Sequence, residues 1–283
     1  MKTLEDALSK GRSLLKEKGI TEADLDAWYL LSFYFQVSRP QYILHADRAV
    51  TDKQYAEYIK LVHKRSDHIP LQYITGEQEF MGLKFRVSEE VLIPRQDTEI
   101  LVEEALKVSQ GKDVLDLCTG SGCIIISLAR LGGIKNAVGV DIHGKALLIA
   151  EENARQLQAE VTFLESDLYS QVRGKYDIII SNPPYIPTRD ISGLMEEVKD
   201  HEPILALDGS ADGLHFYRVI IEGAGRFLKP NGYIFFEIGY NQGEAVSELL
   251  REAGFMDIKI INDLAGFNRV ISGRYKKEEE PFT

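Results

Sequence analysis

The chain has 283 residues, 44% of them apolar and 27% charged, a composition that suits a folded globule with room for one large domain or two. No apolar run reaches the roughly 18 residues that span a bilayer, and the opening MKTLEDALSKGRSLLKEKG lacks the apolar core of a signal peptide, so a cytoplasmic protein with no membrane partner is expected. A net charge of −11 argues against a stable nucleic-acid partner, and two cysteines in a C-x4-C spacing, Cys118 and Cys123, argue against a disulfide scaffold or a metal site.

Residues 1–70 predict a small all-α domain. Thr3 and Asp6 resemble a capping box ahead of Leu4, Leu8, Leu14 and Leu15, although Gly11 weakens that helix. Thr21 to Asp24 repeats the start signal, and Thr51-Asp52 opens a long helix through Tyr55, Tyr58, Ile59 and Val62. The region carries no chemistry of its own, so partner recognition is its expected use. Residues 71–93 alternate apolar and polar side chains with Gly76 and Gly82 at turns, which predicts a linking β-hairpin.

The remainder, 94–283, starts with a helix at Asp97-Thr98 and then alternates strands and helices. Strands are expected at 113–117, 137–142, 161–165, 176–181, 233–238, 257–262 and 269–275, with helices at 122–131, 145–157, 213–227 and 242–252. This order predicts an α/β fold: a doubly wound, mainly parallel, seven-stranded Rossmann-like sheet. The tail KKEEEPFT reads as a frayed end.

VLDLCTGSGCIIISLA runs from the first strand through a glycine turn into a helix. Gly120 and Gly122 allow close backbone approach to a ligand, and the helix start adds positive potential. Position 125 is Ile, so the dinucleotide fingerprint fails. Asp116 would repel a pyrophosphate but suits an ammonium group. Asp141 ends the second strand, where an acid accepts from both ribose hydroxyls. Asp167 ends the third and suits an adenine amino group, with Leu168 on the ring. An adenosine ligand with an ammonium tail and no phosphate is S-adenosylmethionine, with S-adenosylhomocysteine as product.

The fourth strand ends in IIISNPPYIP. Proline cannot donate to a sheet ladder, so the strand stops at Ser181 and a stiff, exposed corner follows. It faces the cofactor loop across the switch point of the sheet. A planar NH2 group is a poor nucleophile because its lone pair is delocalised. The Asn182 side-chain oxygen and the Pro183 carbonyl can accept its two hydrogens, and Tyr185 offers a face for stacking. The candidate catalytic residues are therefore Asn182, Pro183 and Tyr185.

The series VLIPRQDTEILVE, DLCTGSGC, NPPYIP, HEPILALDGSADGL, FEIGYNQGEAV and DLAGFNRVISGRY, behind the helices and hairpin, resembles the HemK-type peptide chain release factor N5-glutamine methyltransferases. The resemblance covers the chain to Tyr275 and makes 94–283 a methyltransferase domain. It implies methyl transfer to the glutamine amide of the Gly-Gly-Gln loop of class I release factors, with Asn182, Pro183, Pro184 and Tyr185 binding that amide. Cys118, Thr119, Gly120, Ser121, Gly122 and Asp141 would bind the cofactor, Asn182 would touch both ligands, and the helical domain would grip a release factor. The enzyme is expected to be a monomer. Cys118 stands where the family pattern has glycine. NPPY alone is shared with adenine-N6 methyltransferases of nucleic acids, the alternative reading, and a non-catalytic S-adenosylmethionine-binding scaffold is a second. Arg95 and Glu99 read either as a wall near the methyl or as a helix cap, His201-Glu202 as a structural lid, and Glu237 as a buried cap partner.

Overall fold

The computed structural model describes residues 1–276; of the tail KKEEEPFT, all but Lys276 lies outside them. The chain forms two compact units, one of Met1–Glu77 with Met195–His201, the other of Gln78–Leu194 with the residues from Glu202 onward.

In the first unit, β1 (Lys2–Thr3) leads into α1 (Leu4–Glu17), followed by α2 (Ala23–Phe35), α3 (Arg39–Leu44), β2 (Ala49–Val50), α4 (Asp52–Ser66) and α5 (Leu71–Thr75). Full capping boxes open α1 at Thr3 and Asp6 and α4 at Thr51 and Gln54. The start signal at Thr21 is not used: Glu22 caps α2 without a side-chain bond. Gly11 does not break α1, and the packing explains its presence. A Cβ there would lie 2.2 Å from Tyr58 Oη, whose hydroxyl donates to the Ala27 carbonyl at 3.1 Å. The missing side chain lets one buried tyrosine join α1, α2 and α4. Arg65, also buried, donates through Nε to Asp26 at 2.7 Å and through Nη2 to Glu197.

Residues 71–75 depart from the hairpin expected over 71–93. Pro70 and Gly76, the latter at φ +78°, bracket one helical turn, and five residues are too few for alternation to distinguish strand from helix. The hairpin itself is shorter, β3 (Glu77–Phe80) and β4 (Leu83–Arg86).

The second unit continues with α6 (Gln96–Leu106), β5 (Asp113–Leu117), α7 (Cys123–Leu131), β6 (Asn136–Asp141), α8 (Gly144–Gln156), β7 (Thr162–Glu165) and β8 (Tyr176–Ser181). After it come α9 (His215–Phe227), β9 (Leu228–Glu237), α10 (Gly243–Glu252), β10 (Phe255–Asn262) and β11 (Asn268–Tyr275). The sheet order is β10-β11-β9-β8-β5-β6-β7, parallel except that β11 runs against both neighbours. β8 carries the apolar run Ile178–Ile180, and β5 is buried from Val114 to Leu117 with Asp116 among them, because both faces of the sheet are covered. Their alternate residues feed two cores: Leu115, Leu117 and Ile179 on one face, Val114, Ile178 and Ile180 on the other. Each such side chain contributes about 1.5–3 kcal/mol on burial. The chain reverses strand order between β5 and β8, and Ser181 locks those two ends together by donating to the Leu117 carbonyl at 2.6 Å. Ligands bind such sheets in the crevice outside this switch point.

Candidate active site

The loop after β5 is held in left-handed backbone conformation at Cys118 (φ +60°), Gly120 (φ +53°) and Gly122 (φ +78°). Cys118 bears a cost of about 1–2 kcal/mol that glycine would avoid. Asp141, at the end of β6, accepts the Gly120 N–H at 2.8 Å through Oδ2 and the His143 N–H at 2.9 Å through Oδ1. Asn153 of α8 braces the far side of the loop, donating to the carbonyls of Ser121 and Arg86, each at 3.0 Å, and accepting the Arg86 N–H at 2.7 Å. The hairpin thus supports the glycine loop through one asparagine. Burial raises the carboxyl pKa of Asp141, against the hydrogen bonds from His143 and Gly120.

Asp116 is fully buried beneath the loop. Its Oδ2 accepts the Thr119 hydroxyl at 2.6 Å, and its Oδ1 has no hydrogen-bond partner among the described residues. Burial pushes its pKa up to about 8, against the Thr119 bond. Such a carboxyl is poorly satisfied with an anion nearby and better satisfied with a cation.

The corner after β8 is more enclosed than expected. Pro183 and Pro184 are buried, while Asn182 and Tyr185 are half-buried. The cover comes from the chain around Leu207–Gly213. The Ile186 N–H donates to the Leu207 carbonyl at 3.0 Å, and the Gly209 N–H donates to the Ile186 carbonyl at 2.8 Å. A Cβ on Gly209 would sit 2.7 Å from Tyr185 Cα, and one on Gly213 would sit 2.3 Å from the Tyr185 carbonyl oxygen. The two glycines of DGSADGL are there because the corner's backbone occupies that space. Gln242 Nε2 holds the same Tyr185 carbonyl at 3.0 Å.

Behind the corner lies a chain of polar side chains. Asn182 Nδ2 donates to Thr98 Oγ1 at 3.3 Å, and the Thr98 hydroxyl donates to Glu237 Oε2 at 2.5 Å. The Tyr185 hydroxyl donates to Glu237 Oε1 at 3.1 Å. Glu237 is buried, which raises its pKa against the Thr98 bond and the positive charge of Arg269.

One pocket gathers most of the expected residues. Cys118, Thr119, Gly120, Ser121, Asp141 and Asp167 line it. Leu168, Asn182 and Pro184 line it as well. Asp116, Gly122, Pro183 and Tyr185 are not in its wall: Asp116 lies beneath the loop, Gly122 ends the loop as the N-cap of α7, and Tyr185 is turned toward Glu237. The donor set fits an adenosine ligand with a positively charged tail. Asp141 and Asp167 offer acceptors at the ends of two strands, Leu168 and Phe216 offer apolar surface, and the guanidinium in the wall, Arg95, is engaged by Glu202. Asp116, buried with one unpartnered oxygen, favours a cation over a phosphate.

Among the residues left open, Arg95 starts α6 without a side-chain cap bond, and Glu99 accepts the Met81 N–H at 2.6 Å in the hairpin turn. His201 Nε2 lies 3.3 Å from the Asp67 carbonyl. Thr98, Asn153 and Gln242 were not singled out in the sequence. A carboxylate inside the apolar run YIFFEIG was the available signal for Glu237, and nothing local pointed to its partners.

Two family models match, the PrmC N-terminal domain over residues 6–76 and the methyltransferase small domain over residues 95–199. The chain is 40% identical over 274 residues to the release factor glutamine methyltransferase of Geobacter sulfurreducens, covering 96% of each. It is 39% identical over 284 residues to that of Moorella thermoacetica, covering 98% of this chain and 100% of the relative. A methyltransferase from Pyrococcus furiosus shares the fold, at a TM-score of 0.55 and 15% identity over 70% of this chain and 91% of that one. Kinship at this level, running through both units, has one reading: the chain belongs to the release factor glutamine methyltransferase family.

Proposed function

We propose that this chain transfers the methyl group of S-adenosylmethionine to the side-chain amide nitrogen of the glutamine in the Gly-Gly-Gln loop of class I release factors. The observation that carries the reading is the placement of Asn182 in one pocket wall with the glycine loop and Asp141. When bound, S-adenosylmethionine supplies an electrophilic methyl on a sulfonium centre.

The chain's own residues do the rest by binding and positioning. The loop 118–122 and Asp141 hold the cofactor, and Asp167 and Leu168 receive its adenine. Asp116 lies beneath the loop without direct contact, and a positively charged tail bound above it would draw its buried carboxyl toward the charged form. The Asn182 side-chain oxygen and the Pro183 carbonyl accept the two hydrogens of the target amide. That grip holds the nitrogen and turns its lone pair toward the methyl, so the gain is mainly in orientation. As the N–C bond forms the sulfonium C–S bond breaks, S-adenosylhomocysteine leaves and one of the two held N–H protons is released to solvent. Pro183 and Pro184 fix the carbonyl's direction, and Tyr185, tied to Glu237, cannot swing away. The helical unit serves as the grip on the release factor, and the enzyme works as a cytoplasmic monomer.

The same corner would hold an adenine amino group. The net charge of −11 supports the protein substrate, because a nucleic-acid substrate calls for a basic surface. The test offers labelled S-adenosylmethionine with a class I release factor and duplex DNA together. Label is expected in the release factor; label in DNA alone refutes the reading.

A further inference from the structure

Asn182 is useful to a target amide only if its oxygen, and not its NH2, faces the pocket. An asparagine side chain can occupy either orientation with nearly the same shape. Something must therefore select one, and the polar chain behind the corner has the chemistry to do so.

Thr98 has a single hydroxyl proton, and the 2.5 Å bond to Glu237 uses it. Toward Asn182, 3.3 Å away, the Thr98 oxygen can then only accept. That contact is satisfied by the Asn182 NH2 and would be a clash of lone pairs with its oxygen. On its other oxygen Glu237 accepts the Tyr185 hydroxyl at 3.1 Å, so one carboxylate reaches the corner twice, directly at Tyr185 and through Thr98 at Asn182. We propose that Glu237, acting through Thr98, is a positioning residue that selects the Asn182 orientation presenting the oxygen to the target amide.

This inference rests on Asn182 being the residue that receives that amide. Neither Thr98 nor Glu237 needs to touch the target. Thr98→Val keeps the shape and removes the acceptor, leaving Asn182 to populate both orientations. Thr98→Ser keeps the hydroxyl. Glu237→Gln lets an NH2 group donate to Thr98, which reverses the direction of the chain.

The test measures kcat, the KM for a class I release factor and the Kd for S-adenosylmethionine by calorimetry. The set is wild type, Thr98→Val, Thr98→Ser, Glu237→Gln, the Thr98→Val/Glu237→Gln double variant and Asn182→Ala. Thr98→Val is expected to lower kcat by about 10- to 100-fold, the range of one lost hydrogen bond in a buried network, with both binding constants within about threefold of wild type. Thr98→Ser is expected to restore kcat to within about threefold. The double variant should be no worse than the poorer single one, because both changes break the same chain. A wild-type kcat for Thr98→Val beside an inactive Asn182→Ala overturns this inference and leaves the proposed function standing. An active Asn182→Ala overturns the reading beneath it. A Thr98→Ser variant as poor as Thr98→Val shows that packing and not the hydroxyl matters, and also overturns the inference.

Discussion

Asp141 and Gly120 are joined by a 2.8 Å hydrogen bond from the loop N–H to the carboxylate at the end of β6. The same carboxylate holds the His143 N–H at 2.9 Å, so it fixes the glycine loop as well as facing the pocket. Asp141→Ala is therefore expected to act twice. Cofactor Kd should rise by about 100-fold or more, and the melting temperature of the cofactor-free protein should fall, since charge-assisted bonds of this kind contribute about 1.5–3 kcal/mol each. Calorimetry and thermal unfolding check this. Weakened binding with an unchanged melting temperature would show that the loop holds itself.

The tight cover on the corner gives a second expectation. At Gly209 a new Cβ would meet the Tyr185 Cα at 2.7 Å and its carbonyl carbon at 2.8 Å, backbone atoms that cannot rotate away. Gly209→Ala should cost about 1–3 kcal/mol of stability and lower kcat through displacement of Tyr185 and Ile186. Denaturant unfolding and turnover measure both. Wild-type values for both would mean that the Leu207–Gly213 cover does not set the corner's geometry.

How much of this was legible depends on sequence distance. The glycine loop, Asp141 and the proline corner could be read because each sits at a strand end and each signal lies within a few residues. The strand-helix alternation was readable for the same reason: the run Ile178–Ile180 in β8, and Val114, Leu115 and Leu117 in β5, report burial on both faces. Thr98 and Glu237 were not legible as a pair, being 139 residues apart, and Thr98 lies 84 residues from Asn182. Only the folded sheet brings them together. Gly11 and Gly209 misled or stayed silent for a related reason, since each answers to a distant side chain or backbone. The turn Leu71–Thr75 looks like strand in the sequence because its apolar–polar alternation runs on through Gly76 into the true hairpin.

Asp116 makes stability depend on pH in a particular direction. Its folded pKa, about 8, lies above the ordinary value of 3.8. Between those limits the folded state binds more protons than the unfolded one, so stability falls as pH rises. The contribution is whole below about pH 4 and is lost as pH rises through about 8. The melting temperature of the cofactor-free protein should thus fall between pH 5 and pH 8.5, and Asp116→Asn should flatten that part of the profile. Parallel profiles for the two proteins would show that Asp116 does not titrate there.

The central claim is that the corner holds an amide in place and does no other chemistry. Single-turnover methyl transfer to a class I release factor, at saturating S-adenosylmethionine, tests it most directly in the Asn182→Ala variant. The expected result is transfer slowed by about 10²- to 10³-fold, the order that follows when one positioned polar contact to a reacting group is removed, with cofactor affinity falling far less. Transfer at close to the wild-type rate would contradict the account.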